Sequence, residues 1–322
     1  MSRQGVAKGL GLVGLMMAMY WIARAGSLEP PRPPSPTQRN LIFSTDLPLT
    51  INEPGSYLLA ENISTSAGGI TIAADFVTLD LMGFALAAAA GNAGQDGISV
   101  SPSSTGVEVR NGLVAHWPRD GVNLITADSS RVVNVRAISN GRHGIQIGPR
   151  GAVLDSEAHT NGEDGIRIST GTRVLDSSAE DNGLTGIRAV AQSYGNLISR
   201  CTAFRNGEHG ISSTFGEITI RDCDTSYNVG DGILIGFDSL VRGNNCNANQ
   251  GAGIRNTGNN CLIDSNHVFQ NTVVGILASA NTRVIRNSAA LNGTNYMFPV
   301  GSPHVGPKES PATGMSPWAN LE

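Results

Sequence analysis

Five ionisable residues in the middle of the chain have the types and spacing that could do chemistry. They are Asp120, His143, Asp164, Arg167 and Arg188. A histidine held by carboxylates can act as a general base near neutral pH, so His143 is the candidate base. Asp120 and Asp164 would orient its ring or hold a cation. Arg167 and Arg188 suit a carboxylate on a ligand, because a guanidinium can donate two parallel hydrogen bonds to that group.

Two neighbouring residues, Glu163 and His209, extend this set as candidate ligand-binding side chains. A Ca²⁺ site built from Asp96, Asp120 and Asp164 is the metal alternative, although calcium takes six to eight oxygens and this set supplies few. We therefore predict no metal or cofactor, with Ca²⁺ left open. A structural interpretation also stands, since an aspartate or histidine before a glycine can cap a tight turn without any activity.

The elements that must position these residues follow from a repeat. A glycine followed by isoleucine or valine recurs every 21 to 24 residues, and an asparagine stands four residues before each of the last seven glycines. The glycines are Gly97, Gly121, Gly144, Gly165, Gly186, Gly210, Gly232, Gly253 and Gly275, and the asparagines are Asn140, Asn161, Asn182, Asn206, Asn228, Asn249 and Asn271, with Asn292 closing the series. A fixed period of this length is typical of a solenoid.

Small and β-branched residues fill the other columns of the repeat, and no segment has helical periodicity. This pattern predicts short strands separated by tight turns. If each repeat is one turn of a coil, like residues stack at the ~4.8 Å interstrand spacing and the asparagines form a hydrogen-bonded ladder. An antiparallel meander would reverse direction at each turn and would not repeat the columns in one order. We therefore predict an all-β parallel coil.

Composition and charge exclude several classes of protein. Charged residues make up only 15% of the chain and hydrophobic residues 40%, which argues against both a coiled coil and a disordered chain. The net charge is −4 and no basic run occurs, so the sequence predicts no nucleic-acid partner.

The beginning of the chain has the features of a secretory signal. Arg3 and Lys8 precede an apolar run at 10–22, and Ala23 to Ala25 offers a small-residue cleavage site. We predict a signal peptide at 1–25, a proline-rich linker at 26–40, a β-helix with its N-terminal cap at 41–294, and a C-terminal cap or tail at 295–322. This predicts a secreted, periplasmic or cell-surface monomer, with an uncleaved membrane anchor as the alternative.

The four cysteines are predicted to be packing residues. Cys201 and Cys223 share one inward column of successive repeats, and Cys246 falls in another. Because the chain is predicted to be exported, a Cys201–Cys223 or Cys246–Cys261 disulfide remains an alternative.

The repeats at 68–292, among them NGRHGIQI at 140–147 and NGEDGIRI at 161–168, resemble the right-handed parallel β-helix family of pectate-lyase-like proteins. VTLDLMGFAL at 77–86 and VEVRNGLV at 107–114 are similar to the first two coils of that family, and SPWANLE at 316–322 is similar to the tail of many bacterial secreted members. The resemblance implies a single right-handed parallel β-helix, for which we expect about ten coils of ~22 residues.

The fold hosts lyases, hydrolases, epimerases and non-catalytic proteins, so it does not name an activity. The resemblance makes an acidic polysaccharide or cell-surface glycan the expected partner, while the catalytic motifs of the family's lyases and epimerases are absent from this sequence. The first hypothesis is a protein that binds or processes such a polymer, and if enzymatic, a polysaccharide lyase or related carbohydrate-active enzyme. The second is a non-catalytic structural or adhesive solenoid of the cell surface.

Overall fold

The repeats of the sequence form the turns of a right-handed parallel β-helix, in a computed structural model that describes residues 39–92, 94–190, 192–299, 305–310 and 316–322. The coil has about 11 turns, against the expected ten or so, with a spacing of ~22 residues. Each complete turn contributes to three strand ladders, which we call sheets A, B and C. The predicted fold class is confirmed.

Sheet A contains the strands that begin at or beside the isoleucine of each repeat. Its 12 strands among the described residues are Leu49–Ile51, Ile70–Ile72, Ile98–Val100, Val122–Leu124, Ile145–Ile147, Ile166–Ile168, Ile187–Ala189, Ile211–Ser213, Ile233–Ile235, Ala252–Asn256, Val274–Leu277 and Tyr296–Met297. The outward side chains of this sheet include the predicted site residues Arg167 and Arg188.

Sheets B and C follow sheet A in each turn. The strands of sheet B are Arg39–Ile42, Gly55–Leu59, Val77–Asp80, Ala152–Leu154, Arg173–Leu175, Asn196–Ser199, Ile218–Arg221, Leu240–Arg242, Leu262–Asp264 and Arg283–Ile285. Those of sheet C are Ile63–Thr65, Ala85–Ala88, Glu157–His159, Ser178–Glu180, Thr202–Phe204, Asp224–Ser226, Asn245–Asn247, His267–Phe269, Ser288–Ala290, Lys308–Glu309 and Asn320–Leu321. Two long strands, Glu108–Ala115 and Arg131–Ile138, belong to both sheets, and one 3₁₀ turn spans Ser44–Asp46.

Identical residues stack on one another along the coil. Ile145 pairs with Ile166, which pairs with Ile187, and every strand pairing between described residues runs parallel. The antiparallel alternative is therefore excluded. The stacked isoleucines and valines are fully buried and form the core inside the coil.

The asparagine column forms the predicted ladder. Asn161 donates from Nδ2 to Oδ1 of Asn182 (2.9 Å), and the backbone N–H of Asn161 donates to the same oxygen (3.1 Å). The pattern continues from Asn140 to Asn292. Trp117 occupies the asparagine position of an earlier turn, where its buried ring donates from Nε1 to the carbonyl of Leu86.

The repeated glycine is required by close approach rather than by its backbone angle. A Cβ on Gly165 would lie 2.6 Å from Asn182 Nδ2 and 2.8 Å from the carbonyl oxygen of Gly186. Positive φ angles occur instead at other positions of the turns, such as Asp155 between sheets B and C and Thr160 after sheet C. The fit between turns therefore fixes the glycine column.

The sequence also made predictions about the beginning of the chain and about the four cysteines. The predicted signal peptide at 1–25 lies outside the described residues, and the first strand begins at Arg39, inside the predicted linker. In the described part of the chain, no helix has the length and hydropathy needed to cross a membrane. All four cysteines are buried and free, as expected for packing residues.

Candidate functional site

The column before the repeated glycine forms a second hydrogen-bonded ladder beside sheet A. In each case a side chain accepts the backbone N–H of the equivalent residue one turn further on. The amide of Asp120 donates to Asp96 Oδ1 (3.1 Å), that of His143 to Asp120 Oδ1 (3.1 Å), that of Asp164 to His143 Nδ1 (3.1 Å) and that of Thr185 to Asp164 Oδ1 (3.2 Å). This column therefore stabilises the coil by bonds between turns, rather than by the cap of a single turn that the structural interpretation expected.

The three predicted catalytic side chains are buried. Asp120, His143 and Asp164 are only 0%, 2% and 2% exposed. Longer side chains from sheet A cover them: Gln146 donates to Asp120 Oδ2 (2.6 Å), and Arg167 lies against the ring of His143. Of these two covering residues, Arg167 is half-buried, whereas Gln146 is itself only 5% exposed.

The hydrogen bonds of His143 define its tautomer. Nδ1 accepts the backbone N–H of Asp164, whose direction is fixed by the chain, so the proton of the neutral ring is on Nε2. Nε2–H can then donate to Glu163 Oε2 at 3.1 Å. The guanidinium of Arg167, with Nη1 2.9 Å from the same nitrogen, is a second donor and cannot hydrogen-bond to it in this tautomer.

The pKa shifts follow from this burial. Burial lowers the pKa of His143 below its usual value, with the negative charge of Asp164 opposing the shift. Burial raises the pKa of the Asp164 and Asp120 carboxyl groups, opposed at Asp164 by the charge of Arg188. His143 is therefore a neutral ring with both nitrogens occupied, and its predicted role as a base stays a prediction that requires the ladder to open.

The two predicted arginines are neighbours on sheet A but differ in their partners. Arg167 pairs in register with Arg188 on the next strand. Arg188 lies 3.0 Å from a carboxylate oxygen of Asp164 and forms an ion pair with Glu208. No carboxylate of a described residue lies within ion-pair distance of half-buried Arg167, and its buried Nε has no hydrogen-bond partner.

The remaining predicted ligand-binding residues also lie on this face. Glu163 bridges His143 and Arg142, with Arg142 Nε 3.3 Å from Glu163 Oε1. His209 accepts the amide N–H of Asp231 at Nδ1 (2.9 Å), so it repeats the bonding of His143, and burial lowers its pKa too. The structure thus brings His143, Asp164, Arg167, Arg188 and Glu163 together, while His209 stands nearer the C-terminal end of the same face.

The donor set gives the Ca²⁺ alternative no support. Both carboxylate oxygens of Asp120 accept hydrogen bonds from nitrogen donors, and Asn123 Nδ2 donates to Asp96 as well as to Asp120 (3.1 Å each). Within the described ranges, no three His, Cys, Asp or Glu side chains group closely enough to hold a metal ion. Ca²⁺ binding therefore stays an untested prediction.

Sequence reasoning missed the covering residues Asn123 and Gln146 and the ion-pair partners Arg142 and Glu208. Asn123 and Gln146 occupy the outward position after the isoleucine or valine, in the same column as Arg167. The long polar residues in that column could have indicated that their side chains cover the column of residues before the glycine. The direction in which each of them bends was not readable from spacing.

Comparisons with known proteins agree with the fold. Residues 88–203 match the family model described as the right-handed beta helix region, so the predicted resemblance is confirmed. No curated protein is significantly similar to the chain in sequence. Parallel β-helix proteins of the pectate-lyase-like type are accordingly the class that this chain resembles.

Three solved structures illustrate that class. The A-module of mannuronan C-5 epimerase AlgE4 from Azotobacter vinelandii superposes with a TM-score of 0.60 at 14% identity, over 77% of this chain and 79% of the module. The Dettilon tailspike protein gives 0.55 at 12% identity, over 87% of this chain and 65% of its own. The catalytic domain of a GH87 alpha-1,3-glucanase in complex with nigerose gives 0.53 at 15% identity, over 84% and 62%. At these identities the likeness shows the fold alone.

Proposed function

We propose that this chain is an exported β-helix protein that binds an acidic polysaccharide along the outward face of sheet A. The observation that carries the proposal is that Arg167 pairs in register with Arg188 but, unlike it, has no carboxylate of a described residue within ion-pair distance. Like charges directly opposite on neighbouring strands destabilise a sheet, and here only Arg188 has carboxylate partners. A carboxylate from a ligand would neutralise Arg167 and satisfy its free donors.

The similar structures support a polysaccharide as the ligand class. A mannuronan epimerase and an alpha-1,3-glucanase share the fold at TM-scores above 0.5. The charge of this face favours an acidic polymer over a neutral one. The guanidinium of Arg167 has no carboxylate partner in the part of the chain that the structure describes and would attract a uronate. The carboxylates of the face, Glu163 and Glu208, are already paired with Arg142 and Arg188 and do not oppose binding strongly.

Binding is better supported than catalysis. The proposed base, His143, is buried and uses Nδ1 in the ladder and Nε2–H toward Glu163. A lyase reaction would need an open nitrogen at a sugar carbon, which requires Glu163 or Arg167 to move. Incubation with pectate, alginate and glycosaminoglycans, followed by the absorbance of unsaturated products, tests lyase activity directly, and we expect no product.

Affinity electrophoresis in gels that contain polygalacturonate or alginate tests the binding proposal. The wild-type protein should be retarded, and Arg167→Gln should weaken binding about tenfold, because one charge-assisted hydrogen bond is worth ~1.5–3 kcal/mol. The matched control is Arg136→Gln, which removes an exposed arginine of a different sheet that is paired with Glu157. This control also makes the net charge more negative, so each protein is compared with itself in a polymer-free gel, and the control should then be retarded as much as the wild type.

Absence of retardation in every acidic polymer would contradict the proposal and leave the structural or adhesive solenoid as the function. Equal retardation of wild type and Arg167→Gln would show that the polymer binds elsewhere. Export is tested separately by expressing the full chain and sequencing the N-terminus of the mature protein. We expect cleavage after Ala25, and retention of residues 1–25 in a membrane fraction would instead support the anchor.

A further inference from the structure

A groove on sheet C has the composition of a second carbohydrate site, on a different face from Arg167. Its cavity of about 450 Å³ is lined by Phe204, Tyr227 and Phe269 together with small and polar side chains. That volume falls within the range of small-molecule sites. The chain is only 5% aromatic, so three aromatic side chains at one groove are a local concentration.

The register of the strands determines the shape of the groove. Phe204, Ser226, Asn247 and Phe269 occupy the same column of four successive turns. The two phenylalanines therefore stand three rungs apart, ~14 Å, with a low polar floor between them. Tyr227, 59% exposed, packs edge-on against Phe204 with ring centroids 5.4 Å apart and forms part of one side.

A single alanine opens this side of the groove. The residue after sheet C has positive φ in every turn from Ser139 to Leu291, and it is Tyr227, Ala248 and Gln270 in the three turns beside the groove. Tyrosine and glutamine occupy this position in the neighbouring turns, so its backbone conformation accepts longer side chains than alanine. The short side chain of Ala248 leaves the space between its two longer neighbours empty.

The floor of the groove offers acceptors that the protein does not satisfy. Asn247 lines the groove, and its buried Oδ1 has no hydrogen-bond donor, in contrast to the asparagines of the turn ladder. An unsatisfied buried acceptor costs ~1–3 kcal/mol, which a ligand hydroxyl could recover. Asp224, with carboxylate oxygens that accept from Ser226 Oγ and Asn245 Nδ2, is the one charged residue among the described residues of the lining.

We propose that this groove binds a neutral stretch of polysaccharide, independently of the acidic-polymer face on sheet A. Aromatic side chains supply apolar faces for the carbon–hydrogen surfaces of sugar rings, and Asn247 accepts from a sugar hydroxyl. Asp224 in the lining repels a uronate, and the guanidinium of Arg205, which lies over the Phe204 ring (4.7 Å to its centroid), is already paired with Asp181. Hydroxyl-rich, uncharged sugar residues are therefore the ligand class that fits.

The test is a carbohydrate array printed with dextran, galactomannan and laminarin as neutral probes, and with alginate and polygalacturonate as acidic ones. Ala248→Arg should fill the groove and weaken neutral binding at least tenfold. Leu291→Arg adds the same charge at the same positive-φ position two turns away, outside the groove, and should bind as the wild type does. The double variant Phe204→Ala with Phe269→Ala should lose neutral binding without losing the coil, because both side chains point outward and are only half-buried.

Two results would overturn the proposal: no binding of the wild type to any neutral probe, or equal binding by wild type and Ala248→Arg. Circular dichroism confirms that each variant is folded. Because Arg167→Gln affects only the acidic probes in this account, failure of the acidic face and failure of the groove are distinguishable on one array.

Discussion

The three predicted catalytic side chains stabilise the next turn of the coil, whatever else they do. Asp120, His143 and Asp164 each accept an amide N–H from the next turn, and loss of such an acceptor leaves a buried donor unpaired. The cost is ~1–3 kcal/mol for each group. Loss of function in alanine variants of these residues would therefore not by itself identify a catalytic role.

The protonation of His143 gives a pH-dependent prediction. Burial lowers its pKa in the folded chain below the ordinary 6.5, so the unfolded chain takes up the proton first as the pH falls. The free energy of unfolding should therefore fall as the pH drops from 6.5 toward the folded pKa. His143→Asn keeps an oxygen acceptor for the Asp164 amide but does not titrate, and it should show a smaller fall in urea unfolding measured across that range.

His209 remains in the His143→Asn variant and contributes a shift of the same direction, so part of the pH dependence should persist. An NMR titration of the wild-type ring checks the same claim. A midpoint for His143 at or above 6.5 would contradict the buried, neutral ring described here.

At the scale of the turns, the two ladders fix the distance between neighbouring coils. Asn182 accepts the backbone and side-chain donors of Asn161 at Oδ1 and donates from Nδ2 to Asn206 Oδ1 and to the carbonyl of Ala158. All of these groups are buried. One side chain thus satisfies polar groups of the two turns on either side of its own.

Asn182→Ala should consequently destabilise the protein by about 3 kcal/mol or more, since it leaves several buried groups unpaired. Asn292→Ala, at the less buried end of the same ladder, is the matched control and should cost clearly less. Chemical denaturation compares the two variants. Equal losses would mean that the burial of the ladder does not determine how much each asparagine contributes.

The glycine column gives a second prediction at this scale. Gly165→Ala would place a Cβ within 2.8 Å of a backbone carbonyl, so neighbouring turns must separate. Gly195→Ala meets nothing within 4 Å and suffers only from its φ of +68°, at a cost of ~1–2 kcal/mol. The melting temperature should fall much further for Gly165→Ala. A smaller fall than for Gly195→Ala would contradict the close packing between turns.

The repeat made the fold predictable, because a parallel coil alone keeps every column in one order. The asparagine ladder and the buried isoleucines followed from that. The burial of His143 could not be predicted from the repeat, because it depends on how the side chains of Gln146 and Arg167 bend across the neighbouring column. The groove on sheet C was also not predicted from the sequence. Phe204 and Phe269 are three repeats apart, and only the strand register shows that polar residues lie between them.

On the scale of the whole molecule, the last strand covers the end of the stack. Asn320 Oδ1 accepts the backbone N–H of Asn287 (3.1 Å), and the hydroxyl of Tyr296 lies 2.9 Å from the carbonyl oxygen of Leu321. A solenoid with an uncovered end offers unpaired strand edges to another chain. The pairing of Asn320–Leu321 supports the predicted C-terminal cap, which stays a prediction.

Deletion of residues 316–322 should leave one edge of the Ser288–Ala290 strand unpaired and cause self-association. Light scattering after size-exclusion chromatography measures this, with a monomer expected for the full chain. Trp318→Ala keeps the strand while removing a side chain that is 53% exposed, and it should remain monomeric. A monomeric deletion variant of unchanged stability would show that the segment is not a cap.

Titration calorimetry with a short oligogalacturonate and its methyl ester, against wild type and Arg167→Gln, measures the central claim most directly. The four combinations of ligand and protein form a cycle that isolates the interaction energy between the Arg167 guanidinium and the ligand carboxylates. We predict that esterification weakens binding to the wild type about tenfold and hardly affects Arg167→Gln, in line with a charge-assisted pair. The same loss on esterification in both proteins would contradict a uronate site at Arg167.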